Sequence, residues 1–183
     1  SIPPLLDSGK IIDDPIEKAN LFNQFFTDKS QVNRPNDNPP HLDKIVTDGN
    51  FDNITTSHFE LGPIIKSLKS SNYSPCGVPG TFIKLLYTHA GSIITKLISN
   101  LLNAVFSSGV YPKIWKLSHI SPIHKKGSKA EMSNYRPISI LPTLSKITES
   151  VIHSRLLRHL LSNNLISKQQ AAYLPADSTA QQL

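Results

Sequence analysis

The sequence predicts an α+β fold, mostly helical with one small β-hairpin, and three features predict it. Apolar residues recur at helical spacing in several stretches, two of them opened by capping boxes. Two short β-branched runs, 117–125 and 135–141, flank a basic turn. The connections are rich in Pro, Asn and Ser, and fourteen prolines against eight glycines make many of them stiff.

The first helix is read from Asp14-Pro15-Ile16-Glu17. Asp14 caps, Pro15 suits the first helical position, and Glu17 sits where a capping box places its acid. Ala19, Phe22 and Phe26 then form an apolar stripe through about Phe26. Asp13-Asp14 is the only adjacent acidic pair, but capping accounts for Asp14 and is preferred to a metal site. Residues 28–55 read as a linker.

A second capping box, Ser57 to Glu60, opens a helix with Leu61, Ile64, Ile65 and Leu68 on one face. The stretch 69–80 is a turn-forming loop. A short helix over Phe82–His89 follows, and then a longer one over Ser92–Ser107. Ile94, Ile98, Leu101, Leu102 and Val105 are its stripe, and Gly109 its stop.

Pro122 and Pro137 fall inside the two strands, which places each at an edge or beside a bulge. Thr143 is read as the cap of a long helix to about Ser162, with Leu144, Ile147, Val151, Ile152, Leu156 and Leu160 inward and Asn163-Asn164 ending it. Glu149 is expected to pair with Lys146 or His153 along that helix. The tail from Ser167 reads as turns, with a new helix after Ser178.

Charge is divided unevenly. Residues 1–60 hold five Lys/Arg and ten Asp/Glu, whereas residues 61–183 hold fourteen and three. A strongly basic body suggests a polyanionic partner. No apolar run approaches the roughly 20 residues that span a bilayer, and Ser1-Ile2-Pro3-Pro4 does not resemble a signal peptide. Cys76 is the sole cysteine, read as an inert small residue in a reducing compartment. The histidines show no ligand spacing, and His119 and His124 are expected on the strand surface.

Lys125-Lys126-Gly127-Ser128-Lys129 makes a compact basic turn, with Arg136 on the returning strand. If the strands pair, Lys125 and Arg136 share a side. Two such cations suit a triphosphate, Lys as a point charge and Arg as a bidentate donor. A solvated hairpin tip fits the same spacing.

Lys125-Lys126-Gly127, Ser133-Asn134-Tyr135-Arg136-Pro137-Ile138-Ser139-Ile140-Leu141 and Ser145-Lys146-Ile147-Thr148-Glu149 resemble the reverse transcriptases of non-LTR (LINE-like) retrotransposons. The likeness continues through Asn164-Leu165-Ile166-Ser167-Lys168-Gln169-Gln170 and Ser178-Thr179. Upstream, Ala19-Asn20-Leu21-Phe22-Asn23-Gln24-Phe25-Phe26 is similar to a spacer between endonuclease and polymerase, and Pro75-Cys76-Gly77-Val78-Pro79 to a loop of the N-terminal extension.

The resemblance implies the fingers and N-terminal extension of a right-hand polymerase. It divides the chain into a spacer or linker with one helix (1–55), a helical N-terminal extension (56–116) and a fingers-like hairpin and helix cut before the palm (117–183). It implies that Lys125 and Arg136 contact the incoming nucleotide's phosphates, and that Lys126 and Gln170 contact the template. The implied partners are an RNA template, a DNA primer, an incoming deoxynucleotide and the palm domain. The implied setting is intracellular, in nucleus or cytoplasm, with no membrane.

The chain also departs from the family pattern. Cys76 stands where the family usually has Asp, Ala172 and Ala176 where it has Gly, and Leu174 where it has Arg. These changes fit a decayed copy. Downstream of residue 60 the only acidic residues are Glu131, Glu149 and Asp177. No cofactor is therefore expected in this piece, and Mg2+ only in the complete enzyme, whose palm aspartates hold it.

With no initiator Met, and a last segment that reads as the start of an element, the chain is expected to be a fragment inactive alone. A second reading, from another class, is a non-enzymatic relic module that binds nucleic acid or protein.

Overall fold

The computed structural model describes residues 2–31, 51 and 54–166. Two antiparallel ribbons and four α-helices make up these residues, in the α+β arrangement the sequence predicts. The first ribbon joins β1 (Leu5–Asp7) to β2 (Lys10–Ile12). Sequence periodicity did not show it, because three-residue strands are too short to display alternation. Its turn places Ser8 and Gly9 at φ 49° and 82°, the left-handed pair a tight hairpin needs.

α1 (Pro15–Ser30) has the expected Asp14 cap and Pro15 start, whereas the Glu17 side chain makes no return bond to the Asp14 N–H among the described residues. Asp14 Oδ1 accepts from the Ile16 and Glu17 N–H groups at 2.9 and 2.8 Å, and Pro15 fills the first position. Asp13 pairs with Lys18 at 3.1 Å instead of joining a metal site. The helix outruns the expected stripe by a turn; Phe22 is buried, Phe26 partly so, and Ala19 is exposed.

The larger core is formed by α2 (His58–Ser67), α3 (Gly80–Ser108) and α4 (Thr143–Ser162). Leu61, Ile65, Ile83, Ile98, Leu102, Trp115, Ile147 and Val151 are its buried residues. α3 merges the two helices expected at 82–89 and 92–107 across a kink at Ala90, where φ −141° and ψ 42° leave the helical region. Gly109 ends it at φ 66°.

Of the expected stripe on α3, Ile98 and Leu102 are buried, whereas Leu101 faces largely outward. Thr56 is clamped to this helix. Asn103 Oδ1 accepts from the Thr56 N–H at 2.8 Å, and Ser99 Oγ and Asn103 Nδ2 donate to its carbonyl at 2.8 and 3.0 Å.

α4 departs from the sequence reading in three places. Thr143 is the first helical residue and not the cap; its hydroxyl donates to Val78 O at 2.7 Å, fastening the helix to the preceding loop. Leu156 is 40% exposed, while Ser145 and Thr148 are buried. Thr148 satisfies its hydroxyl on Leu144 O at 2.8 Å, so a polar residue is buried at no unpaired cost. Glu149 accepts from Ser145 Oγ at 3.1 Å, in place of the expected Lys146 or His153. Asn163 and Asn164 end the helix as read, Asn164 at φ 52°.

Glu60 performs two tasks. It accepts from the Ser57 N–H and the Thr56 hydroxyl, both at 3.1 Å, completing the start of α2, and from Arg155 of α4 at 2.6 Å. Partial burial alone would raise its carboxyl; the Ser57, Arg155 and Thr56 hydrogen bonds and the Arg155 charge outweigh that and hold it below the usual value.

Among the described residues no helix is long and apolar enough to cross a membrane.

Candidate nucleic-acid interface

The basic turn is carried by the second ribbon, β3 (His119–His124) paired antiparallel with β4 (Tyr135–Ile140). Register runs from His119 opposite Ile140 to His124 opposite Tyr135. The Lys125 N–H donates to Asn134 O at 2.8 Å, so bonded pairs fall at 125/134 and 123/136. Pro122 and Pro137 face each other at the intervening non-bonded pair. There the missing N–H groups would have pointed away from the partner strand, so neither proline removes a ladder bond. Both edges of the ribbon also lose a donor for any added strand.

Side chains alternate across the ribbon. Tyr135, opposite His124, points into a second core with Leu5 and Phe22, its ring edge-on to Phe22 at 4.9 Å. Lys125 and Arg136 therefore share the other face, as diagonal neighbours, together with Ile123 and Ile138. All four are exposed. Among the described residues neither cation is paired with a carboxylate. Lys126 and Lys129 are exposed at the tip beside them.

The tip itself is tied down. Gly127 sits at φ 82°, and a Cβ there would stand 2.8 Å from Asn134 Nδ2. That amide donates to Ser128 O at 3.0 Å and to Glu131 Oε2 at 3.1 Å. Tyr135 Oη donates to Lys129 O at 2.8 Å, and the Leu6 N–H of β1 donates to Ala130 O at 2.8 Å. Lys125, Lys126 and Arg136 are thus displayed from a braced loop. Gly127, Asn134 and Tyr135 are the positioning residues that sequence reasoning passed over, although a glycine inside a lysine run was a readable signal.

His119 is exposed as expected and touches Tyr73 of the 69–80 loop. His124 is half-buried instead, its ring 5.3 Å from that of Tyr135 and its Nε2 3.1 Å from Gly127 O. Cys76 is half-buried with its sulfur 3.6 Å from Ser74 Oγ, behind Gly77 at φ 78°. Gln170 and the altered positions 172–176 lie outside the described residues.

No family model matches the chain. The chain is 36% identical over 89 residues to the RNA-directed DNA polymerase from mobile element jockey of Drosophila melanogaster, covering 48% of this chain and 10% of that protein. It is 34% identical over 87 residues to the probable RNA-directed DNA polymerase from transposon X-element of the same fly, and 35% identical over 82 residues to that from transposon BS. The chain carries a reverse-transcriptase-related region. That region is about half of its length, in keeping with the non-LTR resemblance of its motifs. The chain spans about a tenth of the length of these curated relatives.

Among the described residues no group of three His, Cys, Asp or Glu side chains is placed to hold a metal ion.

Proposed function

We propose that this chain is the nucleotide- and template-contacting part of an RNA-directed DNA polymerase and makes no DNA by itself. The observation that carries the reading is the shared face of the hairpin, where Lys125 and Arg136 stand exposed with no carboxylate partner among the described residues.

Lys125 supplies a mobile point charge and Arg136 a planar fork, which together match the oxygens of a triphosphate. Ile123 and Ile138 between and beside them offer an apolar floor for the rest of a nucleotide. Lys126 at the tip, and Gln170 beyond the described residues, are assigned to the template. A palm, a DNA primer and the Mg2+ held by palm aspartates complete the machine in this reading. The reading places the chain inside the cell, in nucleus or cytoplasm, where template RNA is met.

The inactivity is part of the same proposal and is supported by the distribution of acidic residues. Two-metal nucleotidyl transfer needs clustered carboxylates, and beyond residue 60 only Glu131, Glu149 and Asp177 are acidic. Primer extension with the purified chain, magnesium and deoxynucleotides tests this point: no product is expected, and robust synthesis would overturn it. For the hairpin, Lys125→Ala with Arg136→Ala is expected to weaken triphosphate binding, each charged contact contributing about 1.5–3 kcal/mol.

A further inference from the structure

The tip of the hairpin carries a hydroxyl that nucleotide binding leaves unused. Ser128 is exposed, and Lys125 and Lys126 stand three and two positions before it. They are the only adjacent Lys/Arg pair in the sequence, and Lys129 comes directly after the serine. Among the described residues none of these three lysines is paired with a carboxylate. Glu131 is the one acid of the 125–134 loop, and its Oε2 accepts from Asn134 Nδ2 at 3.1 Å.

The main chain leaves this hydroxyl accessible. Residues 125–128 belong to neither strand nor helix, and Gly127 at φ 82° turns the chain just before the serine. The braces at Ser128 and Lys129 fall on their carbonyl oxygens. Ser128 Oγ accepts from the Ala130 N–H at 3.2 Å, so its own proton stays uncommitted among the described residues. Ser139 offers a comparison: it is also exposed and has Arg136 three positions before it, but it lies inside β4 opposite Ile120. It cannot leave the ribbon without breaking strand pairing.

We infer that Ser128 is a phosphorylation site for a protein kinase that selects basic substrates, and that its phosphate closes the hairpin face to a triphosphate. Such kinases recognise cations ahead of the acceptor by charge complementarity with their own cleft. In the transfer, Ser128 Oγ bonds to the γ-phosphorus of ATP, its proton passes to a base of the kinase, and ADP leaves. The phosphate carries about −1.5 to −2 charges at pH 7 and draws nearby lysines into charge-assisted hydrogen bonds. Lys125 and Lys126 are then occupied, and the added charge repels an incoming triphosphate. This regulatory role rests on the hairpin reading given above.

The test treats the purified full chain with the catalytic subunit of cyclic-AMP-dependent protein kinase, ATP and magnesium. Nucleotide is then removed and phosphate mapped by mass spectrometry. A single phosphoryl group is expected on Ser128, absent from Ser128→Ala and retained in Ser139→Ala.

The modified chain is expected to bind a fluorescent deoxynucleoside triphosphate about tenfold more weakly or worse, and to recover after phosphatase treatment. Kinase-treated Ser128→Ala should bind as the untreated chain does, which rules out an effect of phosphate elsewhere. Absence of phosphate at Ser128, its arrival on Ser139 instead, or unchanged affinity after modification overturns the switch. No binding by the untreated chain would instead sink the hairpin reading, and the regulatory role with it, while the mass map still decides whether Ser128 is the acceptor.

Discussion

Gly127 and Asn134 are in contact across the tip of the β3–β4 hairpin, so closely that a single added carbon on Gly127 would stand 2.8 Å from Asn134 Nδ2. The same amide closes the loop through Ser128 O and Glu131 Oε2. The position from which Lys125 and Lys126 project is therefore set by a glycine that nothing else replaces.

Gly127→Ala is expected to destabilise the chain by more than the roughly 1–2 kcal/mol of a left-handed L-residue alone, because Asn134 must also move. Gly9→Ala is the comparison, since Gly9 shares φ 82° and a Cβ there meets nothing within 4 Å. Urea unfolding of both variants checks this, and equal losses would remove the role given to Asn134.

Tyr135 anchors the hairpin to the front of the chain in two separable ways. Tyr135→Phe keeps the edge-on contact with Phe22 and loses only the bond to Lys129 O, an expected cost of about 0.5–1.5 kcal/mol. Tyr135→Ala empties the small core shared with Leu5 and Phe22, an expected cost of about 3–5 kcal/mol. Denaturant midpoints of the two variants distinguish them.

Glu60 gives the fold an acid-sensitive joint between α2 and α4. Its carboxyl is held below the ordinary value of 4.5, so the folded state binds this proton less readily than the unfolded chain. The stability it contributes is present above that ordinary value and lost as pH falls through the lowered folded value. Glu60→Gln is expected to lower stability near neutrality and to flatten the acid limb. Arg155→Ala should do part of the same, the exposed side of the pair limiting its share to on the order of 1 kcal/mol. Thermal melts from neutral to acid pH provide the readout.

Much of the fold was legible in local chemistry. The caps at Asp14 and at Ser57 with Glu60 and the stop at Gly109 each rest on residues within a few positions of one another. What stayed hidden depends on distant partners. Leu5 is buried only because Tyr135 and Phe22 meet it from far along the chain. Thr143 has the side chain of a cap, yet its hydroxyl goes to Val78, far away in sequence.

The candidate site divides in the same way. The run containing Lys125 and Arg136 could be read by resemblance. The bracing by Gly127, Asn134 and Ala130 arises only once the strands pair and β1 reaches the tip.

The central claim is that the hairpin face holds a nucleotide's phosphates, and a titration of the isotope-labelled chain with a deoxynucleoside triphosphate, followed by amide chemical shifts, tests it most directly. The account predicts progressive shifts concentrated at Lys125, Lys126 and Arg136, abolished by Lys125→Ala with Arg136→Ala. Shifts that leave these residues unmoved, or that persist unchanged in the double variant, would contradict it.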